Sequence, residues 1–362
     1  MSSATDAATH DENPTGAAGP FDALLVVSFG GPESQDDVLP FLENVLRGKN
    51  VPRERMMEVA EHYRQFGGVS PINEQNRRLI AALEAELAEF GPRLPIYWGN
   101  RNWHPLLPDT LAKMRDDGVK NALAFFTSGF SCYSGCRQYR ENIAAAQESV
   151  GVGAPQIHKL RMFFNHPGFI ATMTDTVQQA LQQLDDAVRD DALIVFTAHS
   201  IPLSMAENCR YEVQLNEACR LVAEALGRRK WELVYQSRSG PPHQPWLEPD
   251  VCDRLKQLHA EGALPAVAVV PIGFVSDHME VLFDLDTEAK AVCDELGVPF
   301  VRAATAGTHP RFINMIRELI AERTSGTVDR PALGQLGPSH DVCPVDCCLY
   351  TPQRPGVRPQ NA

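Results

Sequence analysis

Three acidic residues, Glu280, Asp284 and Glu288, recur four apart in DHMEVLFDLDTEAK (277–290), directly behind a strand-like apolar run, AVAVVPIGFVS. Residues four apart on a helix are neighbours, so the spacing predicts one face carrying three like charges, which repel unless protons, water or a cation intervene. Such a face is either a solvated ridge or a line of hard oxygen ligands for a hydrated cation. His199 bears on the choice. It follows the run LIVFTA at a strand end, where a side chain enters a cleft. Alone it reads as a structural hydrogen-bonding residue. Facing Glu280 it forms an imidazole–carboxylate pair able to bind a borderline divalent metal or to exchange protons.

A second set of reactive groups lies near the end of the chain. Cys343, Cys347 and Cys348 fall within CPVDCC, while Cys132 and Cys136 occupy the loop after a strand-like run, ALAFFTSGFS. Three tail thiols and one loop thiol suit zinc or an iron–sulfur cluster, and either would tie the tail to the first half of the chain. The adjacent pair Cys347-Cys348 departs from the two-residue spacing of zinc ribbons, which favours iron–sulfur; a set of free tail thiols is the plain alternative. Cys209, Cys219, Cys252 and Cys293 stand singly in helix-like stretches and read as packing residues.

The elements that must position these groups alternate short apolar β-rich runs with amphipathic helical stretches, the pattern of βαβ units around parallel sheets. Three strand-to-loop junctions recur: LLVVSFGGP with LIVFTAHSIP, YWGNRN with VYQSRSGPP, and ALAFFTSGFS with AVAVVPIGFVS. The fold class is α/β, with two similar Rossmann-like domains whose strand ends converge on a cleft. The expected division is a disordered tail over 1–20, domains over 21–155 and 156–325, and an irregular cluster-binding tail over 326–362, with GVGAPQIHKLRMF (151–163) as the crossover.

The 362 residues are 44% apolar and carry a net charge of −13. That charge argues against nucleic acid as a partner, and no apolar run has the roughly 18 residues of a transmembrane helix. The first twenty residues lack the basic and apolar regions of a signal peptide, so a cytoplasmic location is expected. Phe29-Gly30-Gly31-Pro32 matches no nucleotide-binding glycine pattern, and no nucleophile elbow surrounds Ser200. Ser70, in GGVSP, reads equally as a helix cap or a ligand contact.

Taken in order, VVSFGGPE, HYRQFGGVSPIN, FTAHSIP, YQSRSGPPHQPWLEPD and PIGFVSDHMEVLFDLDTEAK resemble the ferrochelatases, from about Phe21 to about Glu322. The CPVDCC tail is similar to that of the actinobacterial iron–sulfur branch, which is associated with coproporphyrin III rather than protoporphyrin IX. The resemblance implies a type II chelatase-like fold and insertion of Fe2+ into a porphyrin with release of two protons. It implies His199 and Glu280 as the pair flanking the macrocycle, with Asp284 and Glu288 on the iron path. Ser70 and Tyr139 match positions that contact porphyrin carboxylates, with Arg47 and Arg64 as nearby cations. It also implies a [2Fe-2S] cluster on Cys343, Cys347, Cys348 and Cys136, the last chosen over Cys132 by the Tyr-Ser-Gly-Cys pattern. The expected partners are coproporphyrin III and Fe2+, with a monomeric chain; a protoporphyrin IX chelatase and a non-catalytic porphyrin carrier are the alternatives.

Overall fold

The computed structural model describes residues 21–48, 51–240, 243–325 and 329–350. The N-terminal tail expected over 1–20, and the last twelve residues of the C-terminal one, lie outside them.

Among the described residues, eight strands form two parallel four-stranded sheets. The first contains β1 (Ala23–Ser28), β2 (Ile96–Asn100), β3 (Asn121–Phe126) and β4 (Gln156–Lys159) in the order β2-β1-β3-β4. The second contains β5 (Leu193–His199), β6 (Trp231–Gln236), β7 (Val267–Val270) and β8 (Phe300–Arg302) in the order β6-β5-β7-β8. The two orders are the same, so the three paired junctions occupy equivalent places, each at the carboxyl end of a strand. Central strands are apolar without alternation because helices cover both faces of each sheet; every residue of β1 and β7 is buried.

The stretch expected as the crossover contains β4, which pairs with β3, so the first sheet extends to Lys159. Helices Pro167–Leu181 and Pro310–Thr324 follow β4 and β8, and each begins at a His-Pro pair in which the histidine side chain caps the first turn. These two helices pack together, and Pro310–Thr324 also packs on helix Ile72–Phe90 of the first half. One apolar core therefore runs through both halves, with Leu24, Phe125 and Leu83 from the first joined through Phe169 and Phe312 to Phe196 and Val270 of the second. Such continuity holds the strand ends of the two sheets in a fixed relation, which a site assembled from both requires.

Candidate active site and tail cysteine site

His199 is the last residue of β5 and pairs in register with Gln236, the last of β6. The chain leaving β7 passes over the end of β5 at Gly273, where an added Cβ would come within 2.7 Å of the Ala198 Cβ. This close passage brings Asp277–Asp284 to His199. His199 Nε2 stands 3.7 Å from Glu280 Oε2. Its Nδ1 hydrogen-bonds to the Ser200 carbonyl, and since a carbonyl only accepts, Nδ1 carries the hydrogen, so that in the neutral ring Nε2 presents its lone pair to Glu280. At 3.7 Å the two acceptors are too far apart for a direct hydrogen bond and close enough to share a proton or a cation. A second imidazole flanks the carboxylate, with His278 Nδ1 at 3.8 Å from the same oxygen. Burial, with His199 nearby, keeps His278 less basic than an ordinary histidine.

The acidic ridge runs along a helix of a kind the spacing does not reveal. Met279–Val281 is α-helical, but Leu282–Ala289 is a π-helix before α-geometry resumes at Lys290. Asp284 accepts hydrogen bonds from Ser237 Oγ and from Gln236 Nε2, the latter at 3.2 Å. Burial pushes its carboxyl up to about 7, and the Glu280 charge adds to the shift. Glu288 is exposed, yet its carboxyl is also raised, by partial burial and then by Asp250. The line thus grades from an outer carboxylate through an anchored one to the imidazole pair.

The first half contacts this segment directly. Met279 packs among Val38, Phe41, Met56 and Tyr63, and burial together with the Glu280 charge pushes the Tyr63 phenol up. His62 stacks on Phe283, and the Asp277 amide donates to Gln75 Oε1 at 2.8 Å. Ser70 is buried in the turn over Gly31, whose added Cβ would lie 2.7 Å from the Ser70 Cβ. Tyr139 is buried beneath the Arg101 guanidinium, 4.5 Å from its ring centroid. Arg47 and Arg64 are exposed, Arg64 being paired with Glu61 at 2.8 Å. No hydrogen bond or ion pair among the described residues joins either arginine to His199, Glu280, Ser70 or Tyr139.

Residues 21–324 match the family model described as ferrochelatase. The chain belongs to the ferrochelatase family. It is 64% identical over 346 residues to a protein named ferrochelatase from Rhodopirellula baltica, covering 95% of this chain and 98% of that one. It is 53% identical over 362 residues to a coproporphyrin III ferrochelatase of Streptomyces coelicolor, covering 94% and 96%. Among solved structures, SirB from Bacillus subtilis with Fe3+ shares the type II chelatase fold at 12% identity, with a TM-score of 0.50 over 85% of this chain and 98% of that one. The chain is a ferrochelatase, an enzyme whose metal ion is substrate.

In this ferrochelatase the tail thiols meet Cys136. Cys136 donates a hydrogen bond to Cys343, and the Cys347 and Cys348 sulfurs are 3.6 Å apart. Two thiolates each about 2.3 Å from one tetrahedral metal lie roughly 3.8 Å apart, so the Cys347–Cys348 pair has a spacing suitable for one metal centre. The Cys136 bond holds the Cys343 thiol well below its ordinary value, with His340, Lys159 and Arg140 acting the same way. Those cations suit an anionic cluster. Lys159 is buried with Nζ 3.1 Å from the His340 carbonyl, and Arg140 Nη1 is buried without a hydrogen-bond partner among the described residues. Arg137 Nη1 pins the loop through the carbonyls of Val345 at 2.7 Å and Cys347 at 3.0 Å. Cys132 instead caps the π-turn Tyr133–Arg137, its sulfur accepting from the Gly135 amide at 3.1 Å. The residues present therefore fit a four-thiolate cluster.

His278, Tyr63, Gln236, Ser237 and the cations Lys159 and Arg140 were not singled out by sequence reasoning. His278 and Ser237 sit inside quoted motifs, DHMEV and YQSRSGPP, and a search for every polar residue at paired strand ends would have found Gln236 and Ser237. Lys159 carried a weaker signal, a lysine ending the short strand QIHK.

Proposed function

We propose that this ferrochelatase inserts Fe2+ into coproporphyrin III in the cytoplasm, as a monomer, with His199 and Glu280 at the reacting centre. The observation that carries the assignment is their 3.7 Å approach from beyond the carboxyl ends of the neighbouring strands β5 and β7. In the reaction Fe2+ replaces the two pyrrole N–H protons of the macrocycle, and charge is conserved because two protons leave. His199 Nε2, with Nδ1 occupied by the Ser200 carbonyl, is built to accept a proton or to ligate the ion, and Glu280 can perform either task. Asp284 and Glu288 supply oxygen ligands along the approach, and an ion losing its water is handed from exposed Glu288 through Asp284 to Glu280.

Coproporphyrin III carries four propionates, and Ser70, Tyr139, Arg47 and Arg64 are assigned to them. Arg47 and Arg64 serve as mobile outer contacts, since both are exposed. Support for this substrate comes from the relatives named coproporphyrin III ferrochelatase at about half identity, such as that of Streptomyces coelicolor at 53%. No helix among the described residues is long and apolar enough to cross a membrane. A first domain from 21 that takes in β4, and so passes the expected limit of 155, a second running to 325, and a cluster-binding tail over 326–362 complete the assignment.

We further assign a [2Fe-2S] cluster to Cys136, Cys343, Cys347 and Cys348, which places the enzyme in the iron–sulfur branch of the family. When bound, such a group supplies one-electron redox chemistry and a covalent tie between tail and first sheet. The chain's own part is to neutralise its charge with Lys159 and Arg140 and to fix the loop through Arg137. Turnover of coproporphyrin III and protoporphyrin IX at equal concentrations, followed side by side without oxygen, tests the substrate assignment. The four-propionate porphyrin is expected to react at least about tenfold faster, about 1.4 kcal/mol in transition-state binding; equal rates reject it.

A further inference from the structure

The tail and the Tyr133–Arg137 turn together offer five donor groups where a [2Fe-2S] cluster takes four. The additional one is His340, exposed at the outer edge of the site. The donor atoms of His340, Cys343 and Cys347 all lie within 4.8 Å of one another, with His340 Nε2 at 3.9 Å from Cys347 Sγ. Cys136 lies on the buried side, in the apolar cluster against which Cys343 packs. Three thiols and an imidazole are a standard tetrahedral zinc set, in which neighbouring donors stand roughly 3.3–3.8 Å apart. Small movements therefore close this group around one ion, with Cys136 drawn in from below. Cys348 is placed differently: its backbone is left-handed, φ 56°, an unfavourable state for a residue with a side chain, and this sets its sulfur beside Cys347.

We propose that the tail is a dual site, holding Zn2+ on Cys136, Cys343, Cys347 and His340 whenever the cluster is absent. His340 then belongs to the zinc form alone and Cys348 to the cluster form alone; this second half rests on the cluster reading given above. On binding, Zn2+ is held by three thiolates, the protons still carried by the thiols leave to solvent, the imidazole coordinates through Nε2, and no electron is transferred. The site then carries one net negative charge, facing Lys159 and Arg140, the same cations that face the cluster. The consequence is a tail that stays docked without iron–sulfur assembly. Its earlier part has separate anchors in Asn165, which binds the carbonyls of Leu333 at 3.1 Å and Gly337 at 2.9 Å, so the metal governs mainly the segment beyond Asp341.

The test is a Co2+ titration of full-length protein freed of iron by chelator and reductant without oxygen. Co2+ reports tetrahedral geometry in its visible bands and thiolate ligation in near-ultraviolet charge transfer, so ion bound at His199 and Glu280 does not contribute to the second signal. The parent is expected to give one equivalent of thiolate-ligated Co2+ that Zn2+ displaces. His340→Ala should weaken this by at least about tenfold, and His340→Cys should restore it, which separates ligand loss from misfolding. Cys348→Ser should titrate like the parent yet yield colourless protein from iron-replete cells. Parent-like Co2+ affinity in His340→Ala, or equal loss in Cys348→Ser, overturns the proposal. A colourless iron-replete parent would reject the cluster reading, while the cobalt titration of the parent and His340 variants would still decide the zinc site.

Discussion

Ser237 holds a left-handed backbone, φ 61°, and from it donates its hydroxyl to Asp284 Oδ2. A non-glycine residue in that conformation costs free energy that the surrounding structure must offset, and here it aims a donor at the middle carboxylate of the acidic line. Burial raises the Asp284 carboxyl to about 7 while the Ser237 bond works the other way. Iron insertion should therefore have an acidic limb near pH 7, since the protonated carboxyl does not ligate Fe2+. Ser237→Ala should move that limb upward, and Asp284→Asn should abolish it at reduced rate, both measured as kcat/KM against pH.

The same group makes an opposite prediction for stability. Its folded value near 7 lies above the unfolded value of 3.8, so the native state holds the extra proton and stability falls as pH rises from about 4 to 7. Asp284→Asn should therefore stabilise the protein at pH 8, on the order of 2 kcal/mol, and have little effect at pH 4, by denaturant unfolding. A parallel loss at both pH values would contradict a buried, strained carboxylate.

His166 provides an acid-sensitive element in the shared core. It is fully buried, its Nδ1 accepts from the Gly168 amide at 3.1 Å, and burial followed by the Arg161 charge pushes it down to about 3. The unfolded chain binds the proton at 6.5 and the native state does not, so stability is intact above 6.5 and lost as pH falls toward 3. The slope attributable to this one residue approaches about 1.4 kcal/mol per pH unit. His166→Asn, which keeps an acceptor for the helix cap, should flatten stability between pH 6 and 4.

For the tail, Cys136→Ser, Cys343→Ser, Cys347→Ser and Cys348→Ser should each bleach the reddish-brown protein, whereas Cys132→Ser should keep its colour because that sulfur caps the Tyr133–Arg137 turn. Visible absorption with iron and acid-labile sulfide analysis, about two of each per chain, decides it. A coloured Cys136→Ser beside a bleached Cys132→Ser would reverse the assignment.

Much of this architecture was readable from the chain. The continuous apolar runs at LLVV, LIVF and VAVV are buried parallel strands, and the repeated junctions place His199 and Glu280 at neighbouring strand ends. The π-helix was not readable, because LFDLDTEA has ordinary helix formers and its distinct hydrogen bonding depends on contacts such as Ser237 to Asp284 and Arg302 to Asp286. Nor was the shared core, which depends on helix Pro310–Thr324 returning to the first half, a tertiary choice that periodicity does not encode. Arg47 and Arg64 were expected from the family resemblance as nearby cations, and both are exposed in the folded chain, which suits the outer contacts assigned to them above.

The central claim, that His199 and Glu280 form the reacting centre, is tested most directly by anaerobic metallation of coproporphyrin III by Fe2+ in the parent, His199→Ala and Glu280→Gln, with porphyrin affinity measured on the same samples by fluorescence. The account predicts a fall in metallation of about 10²- to 10⁴-fold in each variant with porphyrin binding retained, because each removes a group acting on the transferred protons or the entering ion and little of the remote binding surface. His199→Ala metallating at the parent rate would contradict it.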